Sequence, residues 1–243
     1  MMRGMAFLPI WHDIDAGMEV EFDRWHTDEH MPERLYTPGI VTGRRYENAA
    51  AGTHRYFVLY EAISFDVFGS EGYYVTGNAR SEWTKRMHPH FRNFVRSPCH
   101  LVMTRGRGIG GAMATVRVRF PADGKPVAVA GVANSSLTPK DAFTLAVRPL
   151  IETIVGMERV TAVHAGVTAP VGRAPLSSTS LSLRPNAMDF DGVLMVEATG
   201  RDALASVLPA IEALLRDETA AIASNETGVY DLSYLIDSIE GHG

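Results

Sequence analysis

Two histidines near the end of a predicted helix are the residues of this chain best suited to chemistry. His26 and His30 lie four residues apart in the segment WHTDEHMPERLYTPGIVTGRRY, which spans Trp25–Tyr46. Side chains at positions i and i+4 share one face of a helix, so both imidazoles can reach the same space. An imidazole with an unperturbed pKa of about 6.5 exchanges protons near neutrality. The segment therefore predicts a general acid or base.

A metal site is the second use that this pair of histidines allows. A mononuclear site needs at least one more ligand, and HTDEH lacks the H-E-x-x-H order of zinc proteases. Neighbouring acids, or the distant His88 and His90, would have to supply that ligand, and the sequence does not show that they do. We therefore predict no metal site here and no other bound cofactor.

Aromatic and cationic side chains around the pair are candidates for binding a ligand. They are Trp25, His26, Arg34, Tyr36, Trp83 and His88. Each also has a structural interpretation, because aromatic residues more often form core and histidines near a helix end are more often solvated. Arg44 and Arg45 are neighbours in a predicted strand, so at most one can point towards the site, and we expect the other to form a surface ion pair.

One amphipathic helix must position the two histidines. Apolar residues upstream of them recur at the i, i+4, i+7 spacing of a helix face, which predicts a helix from Ala16 to Met31. Pro32 disfavours the helical conformation at the residue before it, so we expect the helix to end or kink there. His30 would then lie in a last turn, whose free carbonyl groups favour a cation.

The first half of the chain follows the order of a βαββαβ, or ferredoxin-like, unit. Its predicted strands are Met5–Trp11, Ile40–Asn48, His54–Ser64 and His100–Arg107, and its second predicted helix is Ala79–Val95. The glycine-rich segment DVFGSEGYYVTGN precedes that helix and is predicted to be irregular.

The second half repeats the first. HMPERLYTPGI, which starts at His30, matches VRPLIETIVGM, which starts at Val147, without a gap, and VLYEA later matches LMVEA. The first strand of this half lies in MATVRVRF or in KPVAVAGV. The predicted elements after it are a helix at Lys140–Thr153, strands at Arg159–Val167 and Asp191–Glu197, a helix at Asp202–Ala223 and a strand at Val229–Ile236. Because His30 is opposite Val147, we expect the polar site in the first unit only.

An internal repeat of this kind determines the expected fold class. We predict an α+β protein with two tandem ferredoxin-like units, residues 1–110 and 111–243. Each antiparallel sheet has an apolar face that must be covered, so we expect the sheets to pack as an α/β barrel.

Composition narrows the partners and the compartment. The 243 residues are 46% hydrophobic and 21% charged, with a formal net charge of −5. This balance gives no reason to expect nucleic acid or a membrane surface as a partner. The single cysteine, Cys99, fits a reducing compartment, and the N-terminal apolar run is too short for a signal peptide. We expect a soluble cytoplasmic protein.

The histidine segment also resembles a known group of proteins. WHTDEHMPER, followed by TPGIVTGRRYE, is similar to the helix-and-turn signature of bacterial proteins in the dimeric α/β-barrel superfamily, near its EthD-like groups. SEWTKRMHPHFRNFVRSPC is similar to that family too. The resemblance implies ferredoxin-like units that pack face to face into a barrel, and it implies that His30, in the E-H-x-P run, is the functional histidine. The superfamily includes monooxygenases, isomerases and haem-dependent enzymes, so its fold does not determine the reaction.

Two functional classes follow. In the first, a pocket of the N-terminal unit binds or transforms a small organic molecule, with His30 as acid or base. In the second, a barrel binds a ligand or is purely structural, and His30 caps its helix or hydrogen-bonds Glu33. Haem binding through one histidine is a weaker third alternative. We also expect a homodimer, because leftover sheet edges and apolar helix surfaces favour association.

Overall fold

The computed structural model describes residues 2–78, 81–127, 129, 136–171, 189–218 and 221–238. The chain divides into two compact units. The N-terminal unit contains Arg3–Pro98 and the end of the chain from Ser233, and the C-terminal unit contains Cys99–Thr168 and Asp189–Leu232. The division into repeats at 1–110 and 111–243 stays a prediction.

The N-terminal unit has a four-stranded antiparallel sheet with helices packed on one face. Its elements are β1 (Ala6–Ile14), α1 (Glu19–Trp25), a π-helical turn (His26–His30), α2 (Met31–Leu35), β2 (Ile40–Glu47), β3 (Tyr56–Ala62), α3 (Glu71–Asn78), α4 (Glu82–Met87) and β4 (Phe91–Arg96). The strands are ordered β4-β1-β3-β2. Alternate residues of β1 and β3 join an apolar cluster with Met31 and Phe68, which covers the helix side of the sheet.

The C-terminal unit repeats this arrangement with longer helices. Its elements are β5 (Cys99–Gly106), β6 (Ala112–Arg119), α5 (Pro139–Val155), β7 (Val160–Thr168), β8 (Gly192–Ala198), α6 (Arg201–Glu218) and β9 (Ser224–Asp237), of which the residues through Leu232 belong to this unit. The strands are ordered β9-β6-β8-β7-β5. Thr138 caps α5 by accepting a hydrogen bond from the Asp141 N–H.

Both units therefore have the strand order of a ferredoxin-like fold, and the predicted α+β class with tandem units is confirmed. Of the two candidates for the first strand of the second unit, MATVRVRF forms β6. The other candidate, KPVAVAGV, lies partly outside the described residues. Its Val127 is described and forms an isolated bridge to Leu137.

The structure corrects the register of the repeat. In β2 the first pairing joins Ile40 to Ala62, and in β7 the first pairing joins Val160 to Ala198. A register irregularity follows at the next position of both strands. These strands correspond at a separation of 120 residues, which differs from the 117 of the gap-free sequence match.

The turn before each strand gives the same register. Gly39 has φ +92° and Arg159 has φ +62°, so both units place a left-handed residue at this point. The matched Gly39 therefore corresponds to Arg159. At this separation His30 corresponds to Leu150, and the expected correspondence with Val147 is wrong.

The last strand of the N-terminal unit was also predicted incorrectly. Pro89 lies in a short 3-10 turn where the predicted helix would continue, and Phe91–Arg96 then pairs with β1. The segment expected as the fourth strand is β5, which pairs with β7 of the C-terminal unit. Proline has no N–H for a helix interior, so the chain leaves the helix there. The segment expected to be irregular contains α3.

None of the helices in the described part of the chain has the length and apolar character needed to cross a membrane.

Candidate functional site

The two histidines lie in a π-helical turn, and the helix continues beyond it. The Met31 N–H donates to the carbonyl of His26, five residues earlier, and α2 then runs to Leu35. Pro32 has no N–H to donate, and the wider turn accommodates it without ending the helix. The prediction that His30 lies in a last turn is therefore wrong. Single π-helical turns of this kind are frequent at functional sites.

His30 is half-buried and electrically neutral near pH 7. Its ring stacks on Trp25 with centroids 4.5 Å apart and lies 5.5 Å from the ring of His26. Burial lowers its pKa well below 6.5, and the charge of Arg34 lowers it further. Its Nδ1 atom is enclosed and has no hydrogen-bond partner among the described residues. The Nδ1 atom therefore makes neither a helix cap nor a bond to Glu33.

His26 is buried in a network that Arg45 organises. The His26 ring stacks on Phe22, and its Nδ1 is 3.5 Å from Arg45 Nη1. Arg45 also forms an ion pair with Asp23 and donates to Thr27 Oγ1. Burial lowers the pKa of His26 well below 6.5, with His30 and Arg45 acting in the same direction. His26 is thus a neutral residue held within a structural network.

The expected surface ion pair of one strand arginine is wrong, because both arginines are buried on opposite faces of β2. Arg44 Nη2 donates to Glu61 Oε1 at 2.6 Å, and Arg44 Nη1 donates to the Tyr46 hydroxyl at 3.1 Å. Arg45 is the one on the helix side, beside His26.

Arg34 follows His30 by four residues and is 8% exposed. Its Nη2 donates to the Thr76 carbonyl at 2.6 Å, near the C-terminal end of α3. The Arg34 Nε atom is buried without a hydrogen-bond partner among the described residues. The guanidinium forms no ion pair with any described carboxylate. A Cβ atom at Gly77 would lie 3.3 Å from Nη1, so glycine allows α3 to approach the guanidinium. Among the described residues the hydrogen-bond acceptor of the guanidinium is the Thr76 carbonyl. Burial raises the pKa of Glu33, and the charge of Arg34 acts against that rise without forming an ion pair.

Tyr60 faces the same helix from β3. It is 3% exposed, and its hydroxyl has no hydrogen-bond partner among the described residues. Burial raises its pKa, and the charge of Arg34 acts against that rise, as it also acts on His30. The ring lies over Gly43, where a Cβ atom would be 3.0 Å from Tyr60 Cε1 and 2.8 Å from Met31 Cε. Sequence reasoning missed Tyr60, because its place depends on a cross-strand pairing with glycine.

The C-terminal unit has apolar residues at the same three places. At the separation of 120 residues found for β2 and β7, His30 corresponds to Leu150 and Arg34 to Ile154. The strands β3 and β8 have the same length, and aligning their ends places Tyr60 opposite Val196. All three of these counterparts are buried in the core cluster of that unit. The fold therefore does not require polar groups at these places, and the N-terminal unit carries them at the expense of its core.

The remaining predicted ligand-binding residues are distributed differently. Trp25 is fully buried, and its Nε1 donates to Glu29 and Thr84. Trp83 packs in the same aromatic cluster and is half-buried. His88 is half-buried and lies near enough to His30 to contribute, after burial and Arg34, to lowering the pKa of His30. Tyr36 is 70% exposed, and no described contact joins it to the others.

His12 is a further buried histidine that the sequence did not indicate. Its ring lies 4.8 Å from Phe91 and 5.2 Å from Phe22, measured between centroids. Burial lowers its pKa to about 4. It is therefore neutral near pH 7, like the two histidines of the π-helical turn. Among the described residues, no three His, Cys, Asp or Glu side chains are arranged to hold a metal ion.

The chain is similar over nearly its whole length to several solved structures, and this similarity supports the ferredoxin-like fold of its units. An anthrone oxidase-like protein matches with a TM-score of 0.61 and 9% identity, over 97% of this chain and 93% of that chain. A protein from Fusobacterium nucleatum with a provisional monooxygenase name matches with a TM-score of 0.58 and 9% identity, over 97% and 96%. A mutant chlorite dismutase from Candidatus Nitrospira defluvii matches with a TM-score of 0.56 and 8% identity, over 96% and 92%.

These identities show the fold alone. No protein-family model matches the sequence, and no curated protein matches it. The EthD-like relationship stays a prediction.

Proposed function

We propose that this protein binds and transforms a small organic molecule in its N-terminal unit, with His30 as the general base. One observation carries the proposal: His30 Nδ1, Arg34 Nε and the Tyr60 hydroxyl are enclosed without partners where the other unit has apolar core. Buried polar atoms are nearly always hydrogen-bonded in folded proteins, so an unpaired set indicates a missing partner. A ligand with polar groups is a partner of the right kind.

The three groups have complementary roles in a proton transfer. His30 is neutral, so its ring can accept a proton from the ligand. The electron pair of the broken bond stays on the ligand as negative charge, beside the cation of Arg34. Tyr60 keeps its proton, because burial raises its pKa, and its hydroxyl can donate to the same charge. The proton on His30 is then returned to the product.

Similar structures support the class without naming the reaction. Proteins of this fold include ones named after oxidation or dismutation chemistry. The alternative is a protein that binds a ligand at the same groups without turnover. A Soret band in the purified protein would support the haem alternative in place of both.

The experiment that tests the proposal measures proton exchange. The protein is incubated in D₂O with a panel of small carbonyl compounds that have acidic C–H bonds, and deuterium uptake is measured by mass spectrometry. His30→Gln is expected to lower the exchange rate by about 10²- to 10⁴-fold, the usual contribution of a general base. The control is His100→Gln, which changes an exposed histidine of the C-terminal unit. The melting temperature is measured for both variants.

Exchange that depends on His30 but not on His100 would support catalysis. A His30→Gln variant that is folded and keeps the full exchange rate would overturn the role of His30 as base. A panel member that binds beside His30 without exchanging would support the non-catalytic alternative.

A further inference from the structure

The buried charge of Arg34 restricts the chemistry of the ligand. A guanidinium is protonated at every accessible pH, and its burial is unfavourable unless an anion or several acceptors surround it. Arg34 has one carbonyl acceptor, from Thr76, and no described ion pair. In the same unit, buried Arg44 and Arg45 pair with the carboxylates of Glu61 and Asp23. Arg34 thus differs from the other two in forming no ion pair with a described carboxylate.

Further positive charge lies around the same place. Arg96 and Arg34 both lower the pKa of His30, so their guanidinium groups lie close enough to act on its ring. Arg96 is half-buried and also forms no ion pair with a described carboxylate. The cations of Arg34 and Arg96 therefore favour a negatively charged ligand, and Glu33, on whose pKa the Arg34 charge also acts, is the nearby acid that opposes them.

The rest of the surroundings is apolar. The cluster that contains Tyr60 also contains Leu8, Ile10, Met31, Val58 and Phe68. These side chains provide dispersion contacts and no hydrogen bonds, so they suit a hydrocarbon or aromatic body.

We propose that the ligand of this site is a small carboxylate with an apolar body, whose carboxylate is held by Arg34 Nε–H and the Tyr60 hydroxyl. This inference rests on the proposed function, because it assigns the ligand class of the same site. An Arg–carboxylate contact is charge-assisted and stronger than a contact between neutral groups. The apolar body then lies against the cluster around Met31, and His30 Nδ1 faces the part of the ligand next to the carboxylate.

Phenylacetate and phenylacetamide test the ligand class, since they have the same size and differ in charge. Their dissociation constants are measured by NMR titration of the full chain at pH 7. We expect phenylacetate to bind at least about tenfold more tightly than phenylacetamide, which is the effect of one charge-assisted contact. Bound phenylacetate is also expected to raise the pKa of His30, because an anion beside Arg34 offsets its effect on the ring.

Arg34→Gln is expected to remove the preference for phenylacetate. The matched control is Arg24→Gln, which changes an exposed arginine of α1 and should keep the preference. If Arg34→Gln does not fold, Arg34→Lys tests the same point, because lysine keeps the positive charge but lacks the planar N–H groups of a guanidinium. Arg34→Lys should weaken the binding of phenylacetate more than the binding of phenylacetamide.

Equal affinities for the two probes, no binding of phenylacetate, or a preference that survives Arg34→Gln would each overturn the inference. None of these results affects the deuterium exchange that depends on His30. The ligand class and the proposed function can therefore fail separately.

Discussion

Two tyrosine-to-phenylalanine variants measure whether the N-terminal unit holds an unpaired polar group. Tyr60 and Tyr46 lie on the neighbouring strands β3 and β2, and they are 3% and 0% exposed. The Tyr60 hydroxyl has no partner among the described residues, whereas the Tyr46 hydroxyl accepts a hydrogen bond of 3.1 Å from Arg44 Nη1. The same substitution should therefore have opposite effects on stability at the two positions.

The magnitudes follow from the hydrogen bonds. A hydroxyl buried without a partner is unfavourable by about 1 to 3 kcal/mol in proteins, so Tyr60→Phe should stabilise the chain by about 1 kcal/mol or more. Loss of a hydrogen bond from a charged donor destabilises by about 1.5 to 3 kcal/mol, which is the expected effect of Tyr46→Phe. For a chain of this size, the melting temperature should rise by at least about 2 to 4 °C for Tyr60→Phe and fall by about 3 to 12 °C for Tyr46→Phe.

Calorimetry and urea unfolding at pH 7, without added ligand, measure both variants against the unchanged protein. If Tyr60→Phe lowers the stability as much as Tyr46→Phe does, the Tyr60 hydroxyl has a partner within the chain. Tyr60 would then have no unsatisfied hydroxyl to offer, and its assignment to the ligand would be refuted.

Two further predictions concern charges within the same unit. Burial lowers the pKa of His12 from 6.5 to about 4, so the unfolded chain takes up this proton at a higher pH than the folded chain does. The free energy of unfolding should therefore fall by about 3 kcal/mol as the pH falls from above 6.5 to 4. Urea unfolding at pH 7 and pH 4.5 should show a smaller loss of stability for His12→Phe, and an unchanged loss would contradict the burial of a neutral His12. Glu61→Ala should destabilise by about 3 to 5 kcal/mol, because it leaves Arg44 buried without its carboxylate. Its control is Asp237→Ala, which removes the exposed partner of Arg3 and should change stability little; equal losses in the two variants would show that the Arg44 pair is not buried in solution.

Local pattern located most of the secondary structure. β2 was predicted at Ile40–Asn48 and extends over Ile40–Glu47, because its apolar run and the Pro38–Gly39 turn are local signals. The helix expected at Ala79–Val95 shows where such signals fail. It is rich in helix-forming charged residues, but its end pairs with β1, more than seventy residues earlier in the chain. A pairing over that distance leaves no local trace.

The register of the repeat needed the structure for a related reason. The sequence match relied on Gly39 and Gly156, but the backbone position that Gly39 occupies is taken in the other unit by Arg159, a non-glycine residue with positive φ. Such residues are uncommon, and the sequence gives no sign of this one.

For the site, the i, i+4 spacing correctly predicted that the rings of His26 and His30 lie close together, and their centroids are 5.5 Å apart. The unpaired hydroxyl of Tyr60 was not predictable, because it depends on the strand opposite.

Comparison of the two units separates polar groups that the fold uses from those that it does not. Glu61 and Glu197 occupy equivalent positions, and each pairs with a basic residue of the neighbouring strand: Arg44 with the first, His164 with the second. Because both units keep this buried pair on the same face of the sheet, its role belongs to the fold. The helix face behaves in the opposite way at the three positions compared above, because the polar residues of the N-terminal unit have apolar core residues as their described counterparts. A group that one unit carries and the other replaces with core is the better candidate for function, which is why the proposal centres on His30.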